Sequence, residues 1–183
     1  MQTARDLFIA RGYARVTMSE IARTAGTAVK TVYASVGTKV DLLHALIDSD
    51  MAGFQTTAAL EQLGDASSLE SAIALVARGA RADYERAQSV IDLLYSAAAS
   101  DDGAREAWQD VITRYRRALR EAAEEIVRKG LVAPRFEVQG VADRLWFCFG
   151  LAAWRALVVD CKWTYDDAEK ALRRQARCML TED

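Results

Sequence analysis

Apolar residues recur along almost the whole chain at spacings of three and four, the period of helices buried on one side. Leu7 and Phe8 mark the inward face of a first helix over 3–11, with Gly12 as its stop and Tyr13 and Val16 stapling the loop that follows. Thr17 with Glu20 forms a capping box, so a second helix starts at Met18 and turns Ile21, Ala22 and Ala25 inward. Gly26 supplies a tight turn into a third helix, from which Val32 and Val36 point back into a small core. Thr38 with Asp41 repeats the capping pattern and opens a fourth helix through Leu42, Leu43, Leu46, Ile47, Met51 and Phe54, fraying near Gly64.

Past that point the pattern predicts a fifth helix from Ser67 or Ser68 and a sixth over 87–99. A break at Asp101-Asp102-Gly103 precedes a seventh over 104–129, stopped by Gly130 with Pro134 beyond. An eighth over 138–160 and a ninth over 166–180 complete the chain. With 51% hydrophobic residues and a single proline, composition agrees with an all-α protein of about nine helices. The predicted organisation is a three-helix N-terminal domain over 1–47 and a helical bundle over 48–183.

The formal net charge of −2 speaks against a nucleic-acid partner until its distribution is considered. Residues 1–47 carry six Lys/Arg against three acids, and the rest of the chain carries the acidic excess. The third helix turns Ala28, Val29, Lys30, Thr31 and Tyr33 outward or into its first turn. Such a face, with a lysine, hydroxyls and no acid, suits a groove lined by phosphates.

Other chemistries find little support. Arg5, Asp6 and Arg11 interrupt any leader-like apolar run, and no uncharged stretch approaches the roughly 20 residues that span a bilayer. A soluble cytoplasmic protein without a membrane partner is expected. Cys148, Cys161 and Cys178 have no Cys-x-x-Cys spacing and read as buried free thiols. Asp41-x-x-His44 could place two ligands on one helix face, but His44 is the only histidine, so no metal site is expected. No phosphate-binding glycine loop occurs, and a serine nucleophile would have only His44 as a histidine base. No cofactor, catalytic residue or enzymatic activity is expected.

The run Ala4-x-x-Leu7-Phe8, Gly12-Tyr13, Val16-Thr17-Met18, Ile21-Ala22, Ala25-Gly26, Thr31-Val32-Tyr33, Lys39, Leu42-Leu43 resembles the tetracycline-repressor (TetR) family of bacterial transcriptional regulators. The resemblance covers about the first 47 residues and implies a helix-turn-helix that binds duplex operator DNA. Position by position, it implies that Thr17, Thr27, Thr31, Tyr33 and Lys39 contact the DNA backbone, while Ala28, Val29 and Lys30 stand where base edges are read. Lys30 can donate to guanine O6 or N7, and Val29 can pack a thymine methyl. Ala28 replaces a frequent serine and Val36 a common aromatic. The chain also opens almost inside its first helix, without the basic arm usual in the family.

For the bundle, the resemblance implies a small-molecule effector cavity and a homodimer formed by the last two helices. Tyr95, Trp108, Ile112, Tyr115 and Phe149 are the expected lining, although aromatics at helical spacing also serve as core. Gly150, Ala153 and Leu157, with Ala168, Leu172, Ala176 and Met179, form stripes that either a second subunit or the chain's own body covers. Dimerisation is the expected reading, because a helix-turn-helix usually needs two half-sites. The function expected is a ligand-responsive regulator, a repressor acting on a palindromic operator. The alternative is a helical small-molecule carrier or enzyme with a vestigial DNA-binding head.

Overall fold

A computed structural model describes residues 1–51 and 61–181. Among the described residues there are nine α-helices and no strand: α1 Gln2–Arg11, α2 Met18–Thr24, α3 Val29–Val36, α4 Lys39–Met51, α5 Leu69–Ala97, α6 Asp102–Arg128, α7 Val138–Phe149, α8 Leu151–Arg155 and α9 Tyr165–Thr181. A 3₁₀ turn spans Tyr13–Arg15 and a π-helical segment spans Ala156–Asp160. Phe54, assigned by its pattern to the fourth helix, lies outside the described residues.

The chain divides into two compact units. The first joins the residues up to Met51 with Arg86–Ile112. Its core is built from Ala4, Phe8, Tyr13, Val16, Ile21, Ala22, Leu42, Leu43 and Leu46, each at most 4% exposed. The predicted boundaries follow from local chemistry. Gly26, at φ 66°, ends α2 with paired turn bonds, Gly26 N–H to Arg23 O and Thr27 N–H to Ala22 O, a geometry that costs glycine little. At the start of α4 the Thr38 hydroxyl accepts from Asp41 N–H at 3.2 Å, and the Asp41 carboxylate accepts from Thr38 N–H at 2.7 Å. The Thr38 N–H, with the Thr38 hydroxyl also donating to it, holds the Asp41 carboxyl below its usual range. Arg5 of α1 grips Asp50 of α4 with two bonds of 2.6 Å.

Only half of the first capping box forms. Thr17 accepts from Glu20 N–H at 3.2 Å, but the Glu20 carboxylate pairs with Arg11 instead of returning to Thr17. Ala28 is the N-cap of α3 and offers no side-chain bond, so the first amides of that helix have no cap.

The second unit joins 61–85 with the residues from Thr113 onward. The predicted fifth and sixth helices are one helix, α5. The stretch between them holds no proline and a single Gly79 among good helix formers, which weakens a helix without ending it. The predicted eighth helix is broken. Gly150 adopts an extended backbone, and a Cβ built there would fall 2.5 Å from the Trp146 carbonyl oxygen and 3.2 Å from its ring. The Tyr115 hydroxyl donates to the carbonyl of Phe149 at 3.0 Å, satisfying an acceptor stranded at the break.

Two expectations about side chains change here. Ala168, Leu172 and Ala176 are 0%, 8% and 0% exposed and Gly150 is buried, so the chain's own body covers them. Ala153, Leu157 and Met179 are half-buried. All three cysteines are free, yet only Cys148 is buried, its thiol pushed up to about 11 by that burial. Cys161 is exposed in the turn after the π-helical segment, and Cys178 is half-buried on α9.

Ala28→Ser should supply the missing cap and stabilise the protein by about 1 kcal/mol, read as a raised urea midpoint. An unchanged midpoint would mean that the α3 amides are already satisfied. Gly150→Ala should cost roughly 1–3 kcal/mol in the same assay, because the added carbon meets backbone.

Candidate nucleic-acid interface

The first unit presents α3 on a base made by α1, α2 and α4. None of the eight residues of α3 is buried. Val32 and Val36 are half-buried and face inward as predicted. Together with Ala4, Ile21, Ala25 and Leu42 they border a cleft of about 260 Å³. Valine at both positions leaves this underside thinly filled. On the other side, Val29 is 37% and Tyr33 50% exposed, and Ala28, Lys30 and Thr31 are exposed with them. Val29 and Tyr33 thus place apolar side chains on the outward face of α3 beside Lys30 and Thr31.

Thr17 sits at the N-cap of α2 and Thr27 in the turn before α3, both exposed. Ala28, Val29, Lys30, Thr31 and Tyr33 share α3 and its cap, so the predicted set gathers on two adjacent elements. Lys39 differs. At the first residue of α4, its Nζ lies 4.1 Å from the Tyr13 ring centroid, and the side chain is half-buried. Burial lowers the Lys39 pKa, while the charge of Asp101 acts in the opposite direction. Burial, followed by the charge of Asp101, pushes the Tyr13 hydroxyl up to about 12.

Arg15 and Arg23 were not singled out by sequence. Both are exposed on the same small domain and stand outside every ion pair among the described residues. Their signal lay in the charge count of the first 47 residues, which carries no information about facing.

The expected pocket residues fall into both units. Tyr95 is 51% exposed and meets Trp108 edge-on at 5.9 Å, and with half-buried Ile112 they belong to the first unit. Tyr115 and Phe149 are wholly buried in the second. Asp41 of the Asp-x-x-His pair is occupied by Thr38, and His44 is half-buried. No helix among the described residues is long and apolar enough to cross a membrane.

Comparison with known proteins bears on this geometry. Residues 1–46 match the family model for bacterial regulatory proteins, tetR family. No curated protein matches the sequence. Among solved structures, the chain is similar to NalD, the secondary repressor of the MexAB-OprM multidrug efflux pump in Pseudomonas aeruginosa. That likeness has 18% identity over 100% of this chain and 93% of that one, with a TM-score of 0.76. It is similar to the transcriptional regulator FadR from Bacillus subtilis in complex with stearoyl-CoA, at 17% identity over 98% and 95% with a TM-score of 0.73. A third likeness is the TetR family transcriptional regulator PfmR from Thermus thermophilus, at 18% identity over 100% and 94% with a TM-score of 0.67. Residues 1–46 of this chain therefore match the model of the tetR family of bacterial regulatory proteins, and the whole chain shares the fold of these TetR-family regulators.

Proposed function

We propose that the protein is a ligand-responsive transcriptional regulator, a repressor, that binds a near-palindromic duplex operator as a homodimer. The observation that carries this reading is α3, a helix with no buried residue that displays Val29, Lys30 and Tyr33 on a family-matched, net-positive domain. In this reading 1–47 forms the DNA-reading head and 48–183 the effector-binding and dimerising body. Val29 and Lys30 reach base edges beside Ala28, while Thr17, Thr27, Thr31, Tyr33 and Lys39, joined by Arg15 and Arg23, serve the phosphates.

The repressor role is supported by NalD, which is named a repressor, and an effector in the body by FadR, which holds stearoyl-CoA. Within the second unit, Tyr115 and Phe149 are the proposed surroundings of an effector. The dimer surface draws on the outward faces of α7 and α9, where Phe147 is 65% exposed, together with half-buried Ala153, Leu157 and Met179. The protein works by binding rather than catalysis, in the compartment that holds the DNA. An effector that prefers the arrangement unable to bind DNA shifts the population, and hundredfold release takes about 2.7 kcal/mol of differential affinity.

Fluorescence-anisotropy titrations on DNA from upstream of the protein's own gene test the reading. Lys30→Ala should lose about 1–3 kcal/mol on the preferred site and relax its sequence preference. Lys39→Ala should weaken all sequences alike and flatten the salt slope by about one unit. If the unaltered protein prefers no sequence, the regulator reading fails. Sedimentation equilibrium should return twice the chain mass of 20.2 kDa, and a monomer at micromolar concentration would remove the dimer from the account.

A further inference from the structure

Within the second unit, one side of α9 gathers positive charge. Lys170, Arg173, Arg174 and Arg177 border a cleft of about 310 Å³ against the first turn of α5, whose Glu70 is the one carboxylate among the described bordering residues. The ion pairs around them are loose. Arg173 and Arg177 share Glu70 at 3.5 and 3.9 Å, Arg173 approaches Glu169 at 3.8 Å, and Lys170 approaches Asp167 at 3.8 Å. Charge-assisted hydrogen bonds are ordinarily about 2.7–2.9 Å long, so most of these donors are unspent. Arg81 of α5 shows the contrast, taking Asp166 at 2.5 Å and Glu169 at 3.1 Å. Arg174 is exposed and has no ion pair or hydrogen bond among the described residues.

Acids in the first turn of α9 and cations after them suit the helix dipole. The dipole does not account for the spacing. Lys170 with Arg174, and Arg173 with Arg177, stand four residues apart, and like charges at that separation weaken a helix. Glutamine or alanine would keep the helix without the repulsion. From Lys170 to Arg177 the helix rises roughly 10 Å. A single carboxylate cannot meet four cations spread over that length, whereas a chain of phosphates presents oxygens to each of them.

We propose that this cleft is a binding site for a small compound bearing a chain of phosphates, held by the guanidinium forks of Arg173, Arg174 and Arg177 and the ammonium of Lys170. Bound phosphate replaces Glu70 as the partner of Arg173 and Arg177. No aromatic residue is among the described residues that border the cleft, so the phosphates themselves are what it recognises. The site shares no residue with the head or with Tyr115 and Phe149, and it stands or falls apart from operator binding.

Isothermal titration of the full chain with sodium tripolyphosphate and with orthophosphate, in magnesium-free buffer at about 0.15 M salt, tests the proposal. Tripolyphosphate should bind saturably, one per chain, at least about tenfold more tightly than orthophosphate. Arg174→Gln should weaken it by about tenfold, and Glu70→Gln, which removes the competing carboxylate, should strengthen it. Arg117→Gln is the control, an exposed arginine on α6 of the same unit that also lies outside every ion pair among the described residues, and it should change binding by less than about twofold. The comparison of the two anions on the unaltered protein needs no variant to fold. The proposal is overturned if tripolyphosphate fails to bind at about 1 mM, or if Arg117→Gln weakens it as much as Arg174→Gln does. It is also overturned if Arg174→Gln spares tripolyphosphate and instead weakens binding to duplex DNA of arbitrary sequence, which would make the surface a nucleic-acid contact.

Discussion

Everything proposed for the head depends on holding in place a helix that buries almost nothing itself. α3 contributes only the half-buried faces of Val32 and Val36 to the interior, so its position is set by the packing of its neighbours. That packing centres on Phe8 and Tyr13, whose rings lie 5.2 Å apart, with Ile21 and Ala22 of α2 and Leu42 and Leu43 of α4 around them. Tyr13 links two roles, since its buried ring supports this core while its face receives the Lys39 ammonium. The first unit also contains the start of α6, where a Cβ built on Gly103 would lie 2.6 Å from a methyl of Val40. Bulk introduced at either position would therefore press on α4, the helix that also carries the Arg5 pair with Asp50.

The second unit obeys the opposite logic. Its buried side chains are mostly aromatic and aliphatic, and stability alone would favour keeping polar atoms out from among them. Instead it holds Asp83, the Tyr115 hydroxyl and the Trp154 indole N–H. The Tyr115 hydroxyl has a structural role, because it satisfies the carbonyl that the break at Gly150 strands. The Trp154 N–H has no acceptor among the described residues.

Legibility in the sequence followed the range of the interactions. Helix ends decided by residues three or four apart were readable, as at Gly12, Thr38 with Asp41, Gly26 and Gly130. The Glu20 half of a capping box was not, because Arg11, nine residues away, competes for the carboxylate. Gly150 looked like one more small residue in a helix, since the contact that matters depends on where the Trp146 carbonyl and ring lie. The stripe Ala168, Leu172, Ala176 was expected at a dimer interface and is buried within the chain itself, because periodicity does not say whether the covering surface belongs to the same chain. At the candidate DNA site, the outward face of α3 was legible from local pattern and turn chemistry. The seat of Lys39 on Tyr13 required a tertiary contact across 26 positions.

The central claim is that the exposed face of α3 reads a duplex as one of two symmetric arms. Hydroxyl-radical footprinting of the purified protein on the DNA flanking its gene tests this most directly. The account predicts two protected half-sites related by approximate two-fold symmetry, their centres about 34–36 Å or a multiple of that apart along the helix axis. Uniform protection that disappears with added salt, or no protection at all, would contradict it.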